Sequence, residues 1–304
     1  MARPSLKRYA LLSIVAALAT IALKGVAWWL TESVGLLSDA AESLVNLAGA
    51  LMALAMLTLA EQPADDNHAF GHGKAEYFSS AFEGFLIVVA AVAISYSAVD
   101  RLIHPRPLEA LGLGLGFSAV ASVINYLTAR VLMTVGRQHH SITLEADAHH
   151  LMTDVWTSVG VIVGVGLAGA SGWQWLDPLI AVAVAVNILG TGWRLLQRSA
   201  DGLMDAALPE ERRVEIAAVL EDYRRQGLEF HALRTRQAGS RPFVSVHVLV
   251  PGQWTVQRGH DWLERIEESI RQAVPGSHVT TYFEPLEDPA SQSDQDLDRQ
   301  EDGG

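Results

Sequence analysis

Six long apolar stretches constrain the fold of this sequence more than any other feature. A helix needs about 20 largely apolar residues to cross the hydrocarbon core of a bilayer, and each stretch reaches that length. They lie at about 9–30, 34–60, 77–103, 110–135, 145–170 and 176–198. With 50% hydrophobic and only 18% charged residues, the chain is also too apolar for an ordinary soluble protein of 304 residues. We therefore predict an α-helical polytopic membrane domain of six transmembrane helices over residues 1–204.

The positions of the basic residues predict the topology of these helices. Six crossings place both termini on the same side of the membrane. With cytoplasmic termini, the basic residues expected on the inner side are Lys74, Arg137, Arg194 and Arg198, as the positive-inside rule requires. Arg101 and Arg106 then fall outside and weaken this argument. We expect a multi-pass protein of the cell inner membrane.

The sequence changes character beyond Arg198, where it becomes charged and water-soluble. A charged amphipathic helix is predicted at 209–226, a β-like alternation follows at 243–250, and a second helix and last strand are predicted at 256–274 and 278–284. The predicted order is α-β-β-α-β, a small α+β cytoplasmic domain over 205–286, in which His231 is expected to precede the first strand. A layer this small gains burial from a partner, which favours a homodimer.

The segment 287–304 is predicted to be an acidic disordered tail. It is rich in Asp, Gln and Ser, lacks aromatic residues, and holds much of the formal net charge of −12. Elsewhere the chain shows no basic patch with interleaved aromatic residues, so the sequence gives no reason to expect nucleic-acid binding.

Ionisable residues within the second and fifth apolar stretches suggest a metal site. Asp39, Glu42 and Asn46 share one face of the second stretch, because they are three and four residues apart. The fifth stretch begins with a cluster of acidic and histidine residues: Glu145, Asp147, His149, His150 and Asp154. The chain has no cysteine, so a transition-metal site must use His, carboxylate, amide or water ligands.

Four of these residues form the predicted transport site. Glu42 and Asn46 on one helix, facing His150 and Asp154 on another, would supply the four N/O ligands that Zn²⁺ prefers. Any one of them could instead serve only in hydrogen bonding between helices. The four together favour a metal site, because ionisable groups inside a membrane are costly.

Two other groups of residues have weaker signals. Asp65, His68 and His72 in the loop after the second stretch could form a second, more exposed metal site, although, taken alone, these residues favour a polar turn with incidental histidines. In the terminal domain the candidates are His231, His247, His260 and Glu284, which by their dispersal alone would be unrelated residues.

The motifs of the chain resemble those of the cation diffusion facilitator family, and specifically of its bacterial zinc and ferrous-iron efflux branch. The resemblance spans about 1–286. It rests on LLSDAAESLVN at 36–46, QPADDNHAFGHGKAE at 62–76, EADAHHLMTD at 145–154, DAALP at 205–209 and LRTRQ at 233–237.

The resemblance implies a homodimer that exports metal by alternating access, driven by inward movement of protons. It assigns the transport site to Glu42, Asn46, His150 and Asp154. It also assigns a loop site to Asp65, His68 and His72, and a cytoplasmic site to His231, His247, His260 and Glu284. Lys74 and Asp205 match a charge pair that links the membrane dimer to the cytoplasmic domains. Zn²⁺ or Fe²⁺ would be the transported and regulatory ion, and no further cofactor is implied.

The sequence departs from the family pattern at two positions. The second span of this branch usually carries two carboxylates, or a histidine and a carboxylate, where this chain has Glu42 and Asn46. Metal preference is therefore left open. A cytoplasmic position usually filled by histidine is Tyr282, which leaves open whether that site holds two ions, one or none.

We therefore expect a divalent-metal efflux transporter for Zn²⁺ or Fe²⁺, with Mn²⁺, Co²⁺ and Cd²⁺ as further candidates, working by proton antiport. Protons can compete with the cation because metal ligands must be deprotonated. The alternatives are a membrane-embedded metallohydrolase and a metal sensor that does not transport. The chain lacks the H-E-x-x-H motif usual in zinc hydrolases, so no enzymatic activity is expected. A sensor that does not transport would need only the soluble domain and not six spans.

Overall fold

The computed structural model describes residues 5–31, 34–104, 112–171, 173 and 175–292. Within these ranges, some helical side chains are not described: those at 27–28, 30–31, 34–42, 112–115, 118, 161–162, 164–171 and 177. The chain divides into two compact units, Met1–Asp201 and Gly202–Gly304, and each is described by itself.

The first unit is a bundle of six helices, as the apolar stretches predict. They are α1 (Lys7–Thr31), α2 (Val34–Ala60), α3 (Ala75–Ile103), α4 (Gly112–His139), α5 (Ile142–Ser171) and α6 (Leu176–Leu203). Among the described residues, α1, α2, α3, α4 and α6 each contain an apolar segment long enough to cross a membrane. Most side chains in the second half of α5 lie outside the described residues, so its apolar length is not assessed there. The predicted membrane architecture is confirmed.

The fifth helix lies at the centre of this bundle. It contacts α1, α2, α3 and α4, and residues 141–148 at its start are all buried. Ala146 of α5 also belongs to a buried apolar cluster with Ile87 of α3 and Ile188 of α6. The polar residues of α5 are thus surrounded by other helices, as expected for ionisable groups in a membrane domain.

Glycines allow α3 to pack closely against its neighbours. A Cβ added at Gly84 of α3 would lie 3.2 Å from the Gly192 carbonyl oxygen of α6, and one added at Gly192 would lie 3.0 Å from the Gly84 carbonyl oxygen. Small residues at helix contacts let the backbones of membrane helices approach each other. The glycine pair therefore allows α3 to pack directly against α6. Glu83, the residue before Gly84, is fully buried in the bundle.

The second unit confirms the predicted α-β-β-α-β order. Its elements are α7 (Glu210–Arg224), β1 (Glu229–Ala238), β2 (Arg241–Val250), α8 (Val256–Ala273) and β3 (His278–Pro285). The sheet has the order β1-β2-β3, with β2 antiparallel to β1 and parallel to β3 through the α8 crossover. Alternate residues of β2 pack against α7 and α8 in one apolar core that includes Val246, Val248, Ile216 and Ile266.

His231 lies within β1, so the expectation that it precedes the first strand is wrong. It pairs opposite His247 of β2. The register then shifts between His231 and Arg234, and Ala232 has a positive φ of 48°. This bulge interrupts the alternation of buried and exposed residues by which a strand is recognised in sequence.

The segment predicted to be disordered from residue 287 begins with an ordered stretch. Glu287 accepts a hydrogen bond from the Gly252 backbone N–H at 2.8 Å, and the Ser291 hydroxyl donates to the Pro285 carbonyl oxygen at 2.8 Å. A short 3₁₀ helix spans Pro289–Gln292. Residues 293–304 lie outside the described residues.

The core of the second unit gives a prediction about its stability. Ile266 on α8 has 0% exposure, so Ile266→Ala should lower the free energy of unfolding of this domain by about 2–5 kcal/mol through lost burial and a cavity. Hydrogen exchange of the β2 amides in the full-length protein measures the change. The matched control is Val256→Ala on the same helix, which is 75% exposed and should change the free energy by less than about 0.5 kcal/mol. Equal protection in the two variants would contradict the assigned core.

Candidate metal-transport site

A buried polar cluster joins α2, α4 and α5 inside the membrane unit. Asp154 of α5 accepts hydrogen bonds from the side-chain amides of Asn46 on α2 and Asn125 on α4, the latter at 3.1 Å. His150 Nε2 lies 2.7 Å from Asn46 Oδ1. The exposed fractions of Asn46, His150 and Asp154 are only 3%, 5% and 7%. An imidazole nitrogen, an amide oxygen and a carboxylate therefore converge at one buried point.

Helical spacing explains why these side chains meet. His150 and Asp154 are four residues apart on α5, so they lie one above the other on the same face. That face contacts α2, and Asn46 reaches both of its residues, with its Nδ2 on Asp154 and its Oδ1 near His150. Three of the four ligands predicted for transport are thus brought together.

The fourth predicted ligand, Glu42, lies on α2, but its side chain is outside the described part of the structure. The same holds for the side chain of Asp39. The backbone places Glu42 one helical turn before Asn46 on the same helix. Its role as a ligand stays a prediction.

The remaining residues of the predicted α5 cluster have separate roles. Asp147 is 2% exposed and accepts a hydrogen bond at 3.1 Å from the Ser13 hydroxyl of α1. It shares the face of His150 and Asp154, because it precedes them by three and seven residues. Glu145 instead forms an ion pair with Arg198 of α6. His149 is only half-buried, so it stands apart from this face.

Sequence reasoning missed two residues of the cluster, Asn125 on α4 and Glu83 on α3. Glu83 is 0% exposed, and its Oε2 lies 3.3 Å from His150 Nδ1. Asn125 is 2% exposed and donates to Asp154. A carboxylate deep in an apolar span was the signal that could have identified Glu83, because such groups usually mark a functional path. The amide of Asn125 gives no comparable signal.

The loop between α2 and α3 brings together the three residues predicted there. His72 Nε2 lies 3.1 Å from His68 Nδ1 and 3.4 Å from Asp65 Oδ2, and His68 Nδ1 lies 3.3 Å from Asp65 Oδ1. One ligand atom from each residue falls within 4.8 Å of the others. Hydrogen bonds from the backbone N–H groups of His68 and Asn67 hold the pKa of Asp65 below its ordinary value. The loop can therefore present one ionised carboxylate and two imidazoles to a cation.

The sheet of the second unit brings together three of the four residues predicted for the cytoplasmic site. His231 and His247 pair across β1 and β2, and Glu284 on β3 contacts both, with its carboxylate oxygens 2.8 Å from His231 Nε2 and 3.2 Å from His247 Nδ1. Tyr282 lies beside His247, with ring centroids 5.6 Å apart. His260 is exposed on α8 and is not part of this group.

The predicted charge pair of Lys74 and Asp205 falls on different units. Lys74 stands at the N-cap of α3. Asp205 has a positive φ of 61°, and its Oδ1 accepts a hydrogen bond from Arg236 Nη1 at 2.9 Å within the second unit. The pairing of Lys74 with Asp205 stays a prediction.

Comparison with known proteins gives matches to both units. A family model described as the cation efflux transmembrane domain matches residues 10–204, and one described as the cytoplasmic domain of cation efflux proteins matches residues 208–286. The uncharacterized transporter sll1263 of Synechocystis sp. is 55% identical over 291 residues, covering 96% of this chain and 93% of that protein. The cation-efflux pump FieF of Salmonella arizonae is 31% identical over 279 residues, covering 91% and 92%. A solved structure of CzrB in its zinc form is 36% identical over 26% of this chain and 91% of its own, with a TM-score of 0.25.

The two family models, the Synechocystis transporter and FieF together match nearly the whole length of the chain, in agreement with the six-helix unit and the small α+β unit. They exclude the metallohydrolase and the sensor without transport as classes for this protein. The chain therefore belongs to the cation efflux family, the cation diffusion facilitators, and is a multi-pass membrane transporter of cations rather than an enzyme.

Proposed function

We propose that this transporter exports a divalent transition metal, with Zn²⁺ or Fe²⁺ as its cargo, from the cytoplasm in exchange for protons. The observation that carries the proposal is the buried convergence of His150, Asp154 and Asn46 between α5 and α2. Imidazole, carboxylate and amide groups are ligands that borderline divalent transition metals accept, and the chain has no thiolate to add. Mn²⁺, Co²⁺ and Cd²⁺ are competing cargo.

Proton exchange follows from the chemistry of the same ligands. An imidazole and a carboxylate bind a cation only when they are deprotonated, so cation and proton compete for His150 and Asp154. A site that opens alternately to the two sides would then take up protons from outside as it releases metal there. With Glu42 and Asp154 ionised and His150 neutral, the charge of −2 on the ligands themselves balances one divalent ion, which favours release.

The working unit of the proposal is a homodimer in the inner membrane, with both termini cytoplasmic. The match of the second unit to a family of cytoplasmic dimerisation domains supports the dimer. In this arrangement the cluster of His231, His247 and Glu284 faces the cytoplasm and can hold a regulatory ion of the same kind as the cargo. The loop cluster of Asp65, His68 and His72 can hold another.

Metal flux into sealed vesicles tests the proposal directly. The purified chain is reconstituted, a pH gradient is imposed, and uptake of Zn²⁺, Fe²⁺, Mn²⁺, Co²⁺ and Cd²⁺ is compared with that of vesicles without protein. We expect Zn²⁺ or Fe²⁺ uptake that depends on the gradient and is accompanied by proton movement in the opposite direction. Uptake that ignores the pH gradient would exclude antiport, and absence of uptake for all five metals would exclude divalent-metal transport.

The first prediction concerns the two α5 ligands. His150→Ala and Asp154→Ala should each abolish metal-for-proton exchange while leaving the dimer intact, because each removes one ligand of a buried site. Vesicle flux measures the exchange, and size-exclusion chromatography with light scattering measures the dimer. His149→Ala is the matched control, since this neighbouring histidine is only half-buried and should transport normally. Normal flux in both ligand variants would remove the proposed site.

A second prediction concerns Asn46, whose Nδ2 donates to Asp154. Asn46→Asp replaces this N–H donor with a second carboxylate, and the two negative charges are best accommodated when a cation lies between them. Metal should bind more tightly, its preference among Zn²⁺, Fe²⁺ and Mn²⁺ should shift, and turnover should slow at saturating metal if release is rate-limiting. Calorimetry on full-length protein that lacks the loop and cytoplasmic ligands, paired with vesicle flux, measures these effects. Unchanged affinity and selectivity would show that residue 46 does not face the ion.

A third prediction concerns the loop site. Because the pKa of Asp65 is lowered by the backbone N–H groups of His68 and Asn67, this carboxylate is ionised at neutral pH, and Asp65→Asn removes a whole charge. Zinc affinity of the loop should fall by about tenfold or more, while flux at saturating metal persists. Asp66→Asn is the matched control, since it makes the same change at the adjacent exposed residue outside the group. Equal affinities in the two variants, measured by calorimetry, would remove Asp65 from the loop site.

A further inference from the structure

Glu83 is a buried carboxylate that the transport site described above does not use. It lies on α3 with 0% exposure, and neither of its oxygens has a hydrogen-bond partner among the described residues. Burying an ionisable group without a partner is costly, so its position calls for a function. It approaches His150, whose Nδ1 lies 3.3 Å from Glu83 Oε2.

The bundle holds this carboxylate in a fixed place. A Cβ added at Gly49 of α2 would collide with the carboxylate, so this glycine provides the space that Glu83 occupies. On the other side, the next residue, Gly84, packs against Gly192 of α6. Any larger residue at 49 would displace the Glu83 side chain. The close contact between Gly84 and α6 blocks α3 from shifting away from α2 to make room. The helix packing therefore aims Glu83 at α5.

The two ring nitrogens of His150 face different partners. Its Nε2 lies 2.7 Å from Asn46 Oδ1, on the side of Asp154, whereas its Nδ1 faces Glu83 and has no other hydrogen-bond partner among the described residues. The contact of 3.3 Å is within ion-pair range but does not meet the geometry of a hydrogen bond in this structure. A histidine that binds metal through one nitrogen commonly donates its other N–H to a carboxylate, which fixes the tautomer and the ring orientation.

We propose that Glu83 is the positioning residue of the transport site: it accepts a hydrogen bond from His150 Nδ1–H and thereby directs His150 Nε2 at the transported cation. This inference rests on the proposed function, because it assigns a role within the same site. It also places a carboxylate of α3 beside the site, in addition to Asp154 on α5 and the predicted ligand Glu42 on α2. Glu83 acts through His150 and is not itself a ligand.

Two substitutions separate this role from simple packing. The measurements use the full-length chain with the loop and cytoplasmic ligands replaced by alanine, so that calorimetry with Zn²⁺ reports the transport site alone. Glu83→Gln keeps the shape but offers a weaker, neutral acceptor, and Glu83→Leu removes the acceptor while filling similar space. Zn²⁺ affinity should fall by about 10-fold in Glu83→Gln and by up to about 100-fold in Glu83→Leu.

The matched control is Glu76→Gln, the same substitution at another buried carboxylate of α3. Glu76 is 2% exposed and accepts a hydrogen bond from the Ser141 hydroxyl, away from His150. Its Zn²⁺ affinity should equal that of the parent protein. Affinities of both Glu83 variants equal to that of the parent would overturn the inference, as would an equal loss in Glu76→Gln.

A spectroscopic measurement tests the orientation directly, including in the unmutated site. Nitrogen-15 NMR of labelled histidine in Zn²⁺-loaded protein identifies His150 as the ring whose signals move on adding Zn²⁺ and are absent in His150→Ala. We expect zinc on Nε2 and a proton on Nδ1 whose signal lies downfield, as in a hydrogen bond to a carboxylate, and the downfield position should be lost in Glu83→Leu. Zinc on Nδ1, or an Nδ1–H signal that is unchanged in Glu83→Leu, would overturn the proposal.

The outcome distinguishes this inference from the function on which it rests. If the parent protein neither binds Zn²⁺ at this site nor transports any of the five metals, both proposals fail. If it binds and transports but the Glu83 variants match it in affinity and in the NMR signal, only the role of Glu83 fails.

Discussion

The cost of placing ionisable side chains inside a membrane organises the first unit of this protein. Asp147, His150 and Asp154 lie on one face of α5, and such groups are tolerated in a bilayer only when other helices or water surround them. The fold meets this requirement by putting α5 in contact with α1, α2, α3 and α4. Close helix packing at Gly49 and at the Gly84–Gly192 contact then brings the polar side chains within reach of one another.

The same constraint links structure to transport. A site for a divalent cation must hold enough negative charge to replace the water around the ion. The same ligands must also remain stable in the membrane when protons, and not the metal, neutralise them. Asp154 is held by two amides, Asn46 and Asn125, and an amide can donate to a carboxylate or turn its oxygen to a cation. His150 adds a ligand that a proton can occupy. In the proposed transport mechanism this arrangement would favour exchange over permanent binding, in contrast to a closed structural site such as four cysteine thiolates around zinc.

Much of this could be predicted from the sequence because apolar length and helical spacing are local signals. The six helices, the α-β-β-α-β order and the approach of His150 to Asp154 all follow from them. What could not be predicted depends on contacts between distant elements. Glu83 belongs to none of the sequence motifs quoted above, and its role is suggested only by His150, whose Nδ1 lies 3.3 Å away. The sequence alone does not show that His231 lies in the first strand, because a bulge at Ala232 breaks the alternation of β1. The exposed position of His260 likewise depends on how α8 packs.

Anomalous scattering from zinc in crystals of the full-length protein is the most direct test of the central claim, that the cargo binds between α2 and α5. Data collected on both sides of the zinc absorption edge locate bound Zn²⁺ without reference to any assumed ligand. We expect a peak at about 2.0–2.2 Å from both His150 Nε2 and an Asp154 carboxylate oxygen, which disappears in Asp154→Ala crystals grown under the same conditions. Zinc peaks confined to the loop cluster and to the sheet of the second unit, with none between α2 and α5, would contradict it.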